Sequence, residues 1–289
     1  QYPDARDISQ VTQILAPLQA YDIEGGKDYE KIESARLLSS NEYTLNSNLG
    51  YISIKSALNA DEVLAVAYEY TYHGQVYQVG EFSGDITETD KALYVKMLKG
   101  TTVNPRLPMW DLMMKNVYNL GGYQIQKEKF KFDIKYLSDT TGTKINYLPI
   151  PGLNDKSLLQ VMNLDRLDSQ QDSNPDGFFD FVEGYTILSA TGKVIFPVVE
   201  PFGSHLESVI TDPVQREHYC YPQLYDSTLV VARQFADKNK FVMDGEYQAS
   251  SGSQIRLNAM NVPRGSVVVT AGGVTLTENA DYTVDYAMG

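Results

Sequence analysis

The stretch "DSNPDGFFDFVE", residues 172–183, spaces oxygen-bearing side chains as a hard cation would need them. Calcium takes roughly six to eight oxygen ligands, and a single twelve-residue loop can supply them. Asp172, Asn174 and Asp176 fall on the first, third and fifth positions, and Gly177 falls where the loop turns sharply. The Phe178 carbonyl would take the seventh position, Asp180 the ninth through water, and Glu183 would close the set. The same residues also fit a purely structural turn. "NPDG" has proline second and glycine fourth, as a type I turn prefers. Residues 178–188, "FFDFVEGYTIL", pattern as a strand and not as the exiting helix of an EF-hand, and Pro175 stiffens the loop. A calcium loop and a structural turn both stand on these residues. A bound calcium would order the loop and take no catalytic part.

Other chemistry is sparse. The three histidines, His73, His205 and His218, belong to no HExxH arrangement, and no CxxC accompanies them, so zinc is not expected. "GSHLES" sets a serine beside a histidine, but neighbours in sequence do not make a triad. There is no GxSxG elbow and no phosphate-cradling glycine loop. Asp and Glu are plentiful, yet no spacing singles out a glycosidase-like pair. The chain therefore reads as no enzyme, with no catalytic and no cofactor-binding residues. Cys220 is the only cysteine, so there is no internal disulfide, and it reads as a buried, inert thiol.

The elements that would hold these residues are mixed. "DISQVTQILAPL" places Ile8, Val11, Leu15 and Leu18 on one helical face, with Asp7 and Gln10 spaced as a capping box and Pro17 ending or bending the helix. In "EVLAVAYEYTY", Leu64, Val66, Tyr68, Tyr70 and Tyr72 alternate; His73-Gly74 turns, and "QVYQVGEF" returns as the hairpin partner. "ALYVKML" is a short strand, and "PMWDLMMKNVYNL" reads as a helix started by Pro108 and closed by Gly121-Gly122. "YQIQKEKFKFDIKYL" reads as a long strand, and residues 178–188 and 193–199 as a hairpin across "SATGK". Asp212-Pro213 caps one helix and "STLVVARQFADKN" forms another, after which "FVMDGEYQA", "SQIRLNAM" and "GSVVVTAG" are strands. The fold class is α+β, β-dominant, with antiparallel β-modules at both ends of a mixed middle. The divisions are 1–90, an N-terminal β-module with a leading helix; 91–240, a mixed α+β region; and 241–289, a C-terminal β-module.

That last module repeats the first. "NEYTLNSNLG" at 41–50 matches "ADYTVDYAMG" at 280–289: Glu42 falls on Asp281, Tyr43 on Tyr282, Thr44 on Thr283, Leu45 on Val284, Asn46 on Asp285, Leu49 on Met288 and Gly50 on Gly289. Upstream, at the same offset, Leu37 falls on Leu276. The first copy continues into "YISIKSALNADEV" and the second does not, so 241–289 reads as a truncated second copy of the 34–72 pattern, cut from a longer chain. Restoring the missing half-module is expected to add stability.

Composition is that of a folded protein: 43% hydrophobic and 21% charged over 289 residues. No apolar run approaches the roughly 18–20 residues of a membrane-spanning helix. Lys+Arg number 24 against Asp+Glu 37, a net charge of −13 with no basic cluster, which argues against nucleic acid and anionic membrane surfaces. Tyrosine, at 21 residues against 10 phenylalanines and one tryptophan, suits half-exposed sheets and interfaces.

Several phrases together, "YISIKSALNADEVLAVAYEYTYHGQVYQVGEFS", "PMWDLMMKNVYNLG", "VMNLDRLDSQ", "EPFGSHL", "LYDST" and "NVPRGSVVVTAGGVTLTENADYTVDYAMG", resemble the SprA/Sov family of outer-membrane gliding-motility and secretion proteins. The likeness runs from about Tyr21 to Gly289. It implies a non-catalytic soluble portion, periplasmic or extracellular, of a giant β-barrel chain that forms the type IX secretion translocon. Its implied partners are other secretion-machinery proteins, secreted cargo and the remainder of the barrel chain, in a gating or docking role. A second reading is a surface adhesin or carbohydrate-binding module whose calcium-ordered loop at 172–183 helps hold ligand. A third, a carboxylate-based hydrolase, has no motivated substrate.

Overall fold

The computed structural model describes residues 3–55, 58–84, 90–248, 255, 257, 259–271, 274–278, 282 and 284–289. The fold is α+β, with 20% helix and 22% strand, and the strands pair in several small antiparallel sheets. In chain order the strands are β1 (Tyr43–Asn46), β2 (Tyr51–Ile54), β3 (Leu64–Val66), β4 (Tyr68–Tyr72), β5 (Gln75–Val79), β6 (Lys96–Lys99) and β7 (Val117–Asn119). The remaining strands are β8 (Lys131–Leu137), β9 (Lys144–Ile145), β10 (Ile187–Leu188), β11 (Lys193–Ile195), β12 (Phe241–Glu246), β13 (Thr270–Ala271) and β14 (Val274–Thr275). The α-helices are short: α1 (Val11–Leu15), α2 (Leu158–Val161), α3 (Leu206–Val209), α4 (Pro213–Tyr219), α5 (Gln223–Asp226) and α6 (Leu229–Ala232). Among the described residues no helix is long and apolar enough to cross a membrane.

Contacts divide the chain into two compact units, each assembled from three separate stretches. The first comprises Gln1–Ala35, Asn59–Lys115 and Val199–Asn239; the second comprises Arg36–Leu58, Asn116–Val198 and Lys240–Gly289.

The second unit holds most of the core. β8 is central in the sheet β12-β8-β9, and its alternation works as a half-buried strand should. Phe132, Ile134 and Tyr136 are buried on one face, while Lys131, Asp133, Lys135 and Leu137 lie on the other. Helix α2 begins at Ser157, whose hydroxyl accepts the Gln160 amide at 3.2 Å, and buries Leu158, Leu159 and Val161. Phe130 and Phe132 meet Phe179 edge-to-face at 5.3 and 5.2 Å, and Phe130 meets Phe181 at 5.3 Å, so aromatic packing fastens the 178–182 segment to β8. A second sheet, β10-β11-β7, closes against a glycine contact: Leu120 donates its amide to the Gly192 carbonyl at 2.8 Å.

The first unit packs Phe202, Leu206, Ile210, Tyr219, Tyr221, Tyr225 and Ala232 among its short helices. Asp212 caps α4 as its sequence predicts, accepting the Val214 and Gln215 amides at 2.7 and 3.1 Å. The Trp110 indole donates to the Tyr225 carbonyl at 2.5 Å. Cys220 is buried, and that burial pushes its thiol up to about 11, so it is not a thiolate at neutral pH.

Several elements differ from the sequence expectation. "PMWDLMMKNVYNL" forms only a 3₁₀ turn at Pro108–Leu112, then extends and enters β7, because pairing with β11 claims Val117–Asn119. The 123–137 strand is broken by a 3₁₀ turn at Lys127–Lys129. Helix α6 is a single turn under its Thr228 cap. The leading helix ends at Leu15 and passes through Pro17 into a 3₁₀ turn; of its apolar face only Val11 is buried, and Ile8 is exposed. In the 178–188 hairpin arm only Ile187–Leu188 is strand.

Candidate functional site

The 172–183 loop is organised around an acid that no motif spacing includes. Asp165 is 1% exposed, and its carboxylate accepts the Asp176 and Gly177 amides, each at 3.0 Å. Gly177 sits at φ +88, the left-handed geometry that glycine tolerates. Asp180 reaches back to accept the Arg166 amide at 2.7 Å and the Leu167 amide at 3.2 Å. Burial raises the Asp180 carboxyl above the ordinary aspartate value; its two amide bonds oppose the shift, and the negative charges of Asp165 and Asp176 add to it.

The remaining predicted ligands are spread along the turn. Asp172 donates its amide to the Asp168 carboxylate at 2.9 Å, and its carbonyl accepts the Asp168 and Asn174 amides. Asp176 accepts the amide of Phe178 at 3.0 Å, and the Phe178 side chain is exposed. Asn174 is exposed as well. Glu183 turns away to the Ser189 amide, at 3.1 and 3.2 Å. The structure thus brings Asp176 and Asp180 near Asp165 and does not draw Asp172 and Glu183 onto the same point. Among the described residues no group of three or more Asp, Glu, His or Cys is arranged to hold a metal ion. The geometry is that of a turn stapled by carboxylate-to-amide bonds. The clue to Asp165 is an acid flanked by leucines in "NLDRL", whose burial obliges it to find donors.

His73 occupies a hairpin turn, and among the described residues no histidine belongs to a group of three or more His, Cys, Asp or Glu that could hold a metal ion. A recess on the second unit is lined by Tyr147, Pro149, Ile150, Pro151, Gly152 and Asn154, and no acid–base pair lies among these residues. No protein-family model matches the chain, and no curated protein matches it.

The most distinctive surface is the β4–β5 hairpin of the first unit. His73 and Gly74 both take positive φ, +49 and +77, the pair of left-handed residues that a two-residue hairpin turn requires. That turn fixes the register Tyr68↔Val79, Tyr70↔Tyr77 and Tyr72↔Gln75. Tyr68, Tyr70, Tyr72 and Tyr77 consequently share one face, at 44%, 46%, 59% and 40% exposure. Tyr70 stacks on Tyr77 at 5.2 Å with the rings 17° apart, and Tyr68 follows at 6.1 Å from Tyr70. Among the described residues no further strand pairs with either edge. An isolated two-stranded ribbon is marginal in water, so this one draws its rigidity from the tyrosine stack and its short turn.

Proposed function

We propose that this chain is a non-catalytic interaction domain of an outer-membrane secretion protein of the SprA/Sov kind, and that it docks partner proteins at the translocon. The observation that carries the reading is the tyrosine ribbon: four exposed aromatic rings, three of them in one stack, on a β-hairpin that no further strand joins among the described residues. Tyrosine gives large contact area at little entropic cost and is enriched where proteins meet. The motifs that resemble the family support the secretion context, and the acidic surface suits selective docking more than adhesion to anionic membranes. Other secretion proteins and cargo are the partners on this reading. Antibodies raised to the chain and applied to fractionated source cells test it. A band far heavier than 32.3 kDa in the outer-membrane fraction supports it, and a soluble band near 32.3 kDa removes the translocon context.

A further inference from the structure

We propose that the free edge of β4 takes an extended, lysine- or arginine-bearing segment of a partner protein as an added antiparallel strand. The inference rests on the docking reading above and adds the chemistry of the occupant.

Two independent features point the same way. The first is which backbone groups face out. In a two-residue hairpin the pair next to the turn, Tyr72 and Gln75, is hydrogen-bonded, and so in alternation is Tyr70 with Tyr77. The outward N–H and C=O groups of β4 therefore belong to Glu69 and Thr71. A strand bonded to those groups would set its own residues opposite Tyr68, Tyr70 and Tyr72 at non-hydrogen-bonded positions, where side chains approach closest. The spacing between strands, about 4.8 Å, brings those side chains within the roughly 6 Å reach of a cation–π contact.

The second feature is charge. The unit that bears the ribbon holds 21 acidic residues against 11 basic ones, most of the chain's negative excess. Residues 58–84 contain Asp61, Glu62, Glu69 and Glu81 and no lysine or arginine. Arg6 pairs with Glu81, and Lys99 reaches the backbone carbonyls of Asn59, Ala60 and Glu62, while neither is paired with Glu69 among the described residues. Glu69 lies on the ribbon face opposite the tyrosines, so a cationic strand meets aromatic rings on one side and a carboxylate on the other. A second copy of this chain would bring the same negative surface and be repelled, whereas a basic segment would be steered in.

Three end-blocked octapeptides alternating valine with lysine, glutamine or glutamate test this, titrated into the whole chain with backbone amide shifts as the readout. The expected result is that the lysine peptide shifts residues 68–79 and binds about tenfold more tightly than the glutamine peptide, with the advantage shrinking at high salt. Methylating the lysine peptide's alternate backbone nitrogens should abolish binding to the unaltered protein. Tyr70→Phe should keep binding, and Tyr70→Leu should weaken it about fivefold. Equal binding of the lysine and glutamine peptides overturns the cationic occupant and leaves docking at the ribbon intact. Undiminished binding of the methylated peptide overturns strand addition. Failure of all three peptides to bind removes the docking reading together with this one.

Discussion

Asn46 and Asp285 each head a turn of the same kind. The Asn46 side-chain oxygen accepts the Leu49 amide at 3.0 Å, and Gly50, at φ +70, donates to the Asn46 carbonyl at 2.8 Å. The Asp285 carboxylate accepts the Met288 amide at 3.0 Å, and Gly289, at φ +61, donates to the Asp285 carbonyl at 2.7 Å. The turns at 46–50 and 285–289 thus share a conformation, with the Asx residue as acceptor and glycine as the left-handed closer. In the first copy the chain then returns as β2 against β1, with Tyr51 opposite Asn46.

The copies differ in one useful respect. The Asn46 side-chain NH₂ also donates to the Gly184 carbonyl at 3.0 Å, which a carboxylate cannot do. Asn46→Asp should keep the turn, lose that contact and cost about 1 kcal/mol in urea unfolding. Asp285→Asn should stay within about 0.5 kcal/mol of the parent. Equal effects at the two positions would mean that the Gly184 bond contributes nothing.

Local chemistry was the legible part of this chain. The Asp212 cap, the His73-Gly74 hairpin, the β8 alternation and the two Asx turns at 46–50 and 285–289 all depend on residues within a few positions of each other, and sequence shows them. Long-range competition was not legible. Val117–Asn119 reads as helix because its own residues permit it, and becomes strand because β11 lies alongside. The loop at 172–183 illustrates the same limit. Its acids are visible in sequence, but the donors to Asp180 are backbone amides at 166–167, and the loop's own Asp176 and Gly177 amides donate to the buried Asp165 carboxylate, which no spacing rule includes.

That loop yields a prediction separating a staple from a cation site. Asp165→Ala would strand the Asp176 and Gly177 amides and should cost about 2–3 kcal/mol. Asp176→Ala gives up only an acceptor for the Phe178 amide and should cost about 0.5 kcal/mol. With the amides already satisfied, about 1 mM calcium should leave the wild-type Tm in place. A calcium-dependent rise in Tm that Asp176→Ala abolishes would restore the calcium loop.

Glycine packing gives a sharper contrast. Gly192, at φ +61, stands so close to its neighbour that an added Cβ would lie 1.8 Å from the Gly122 carbonyl oxygen. Gly142 has nearly the same φ, +66, with open space around it. Gly142→Ala should cost only the left-handed penalty of about 1–2 kcal/mol. Gly192→Ala adds the displacement of backbone where β7 meets β11 and should exceed about 3 kcal/mol, or prevent folding. Similar melting temperatures for the two variants would mean that the two strands can part at little cost.

The outward face of the central sheet carries a pH dependence with a definite sign. Asp133 of β8 stands directly opposite Asp244 of β12, and Lys135 bonds Asp244 at 2.7 Å. Burial raises the Asp133 carboxyl against the Ile134 amide and the Lys135 charge, which lower it, and the opposing Asp244 charge adds a smaller rise; the bond to Lys135 lowers the Asp244 carboxyl. A raised folded-state value means that the native protein keeps the Asp133 proton to higher pH than the unfolded chain does. The stability from this group is therefore fully present below the ordinary aspartate value and is lost as pH rises through the folded value. Asp244 works in the other direction, and its contribution fades only as pH falls through its depressed value. Asp133→Asn removes the charge and keeps an oxygen for the Ile134 amide, which Asp133 now accepts at 2.8 Å. The variant should be about 0.5–1 kcal/mol more stable than wild type at neutral pH, the scale of relieving like charges on facing strands. The gain should shrink as pH falls to the ordinary aspartate value, because the raised Asp133 carboxyl of the wild type takes up its proton before that value is reached. Paired urea titrations at the two pH values read this directly. A gain that persists unchanged in acid would assign the effect to packing and leave the facing charges without a role.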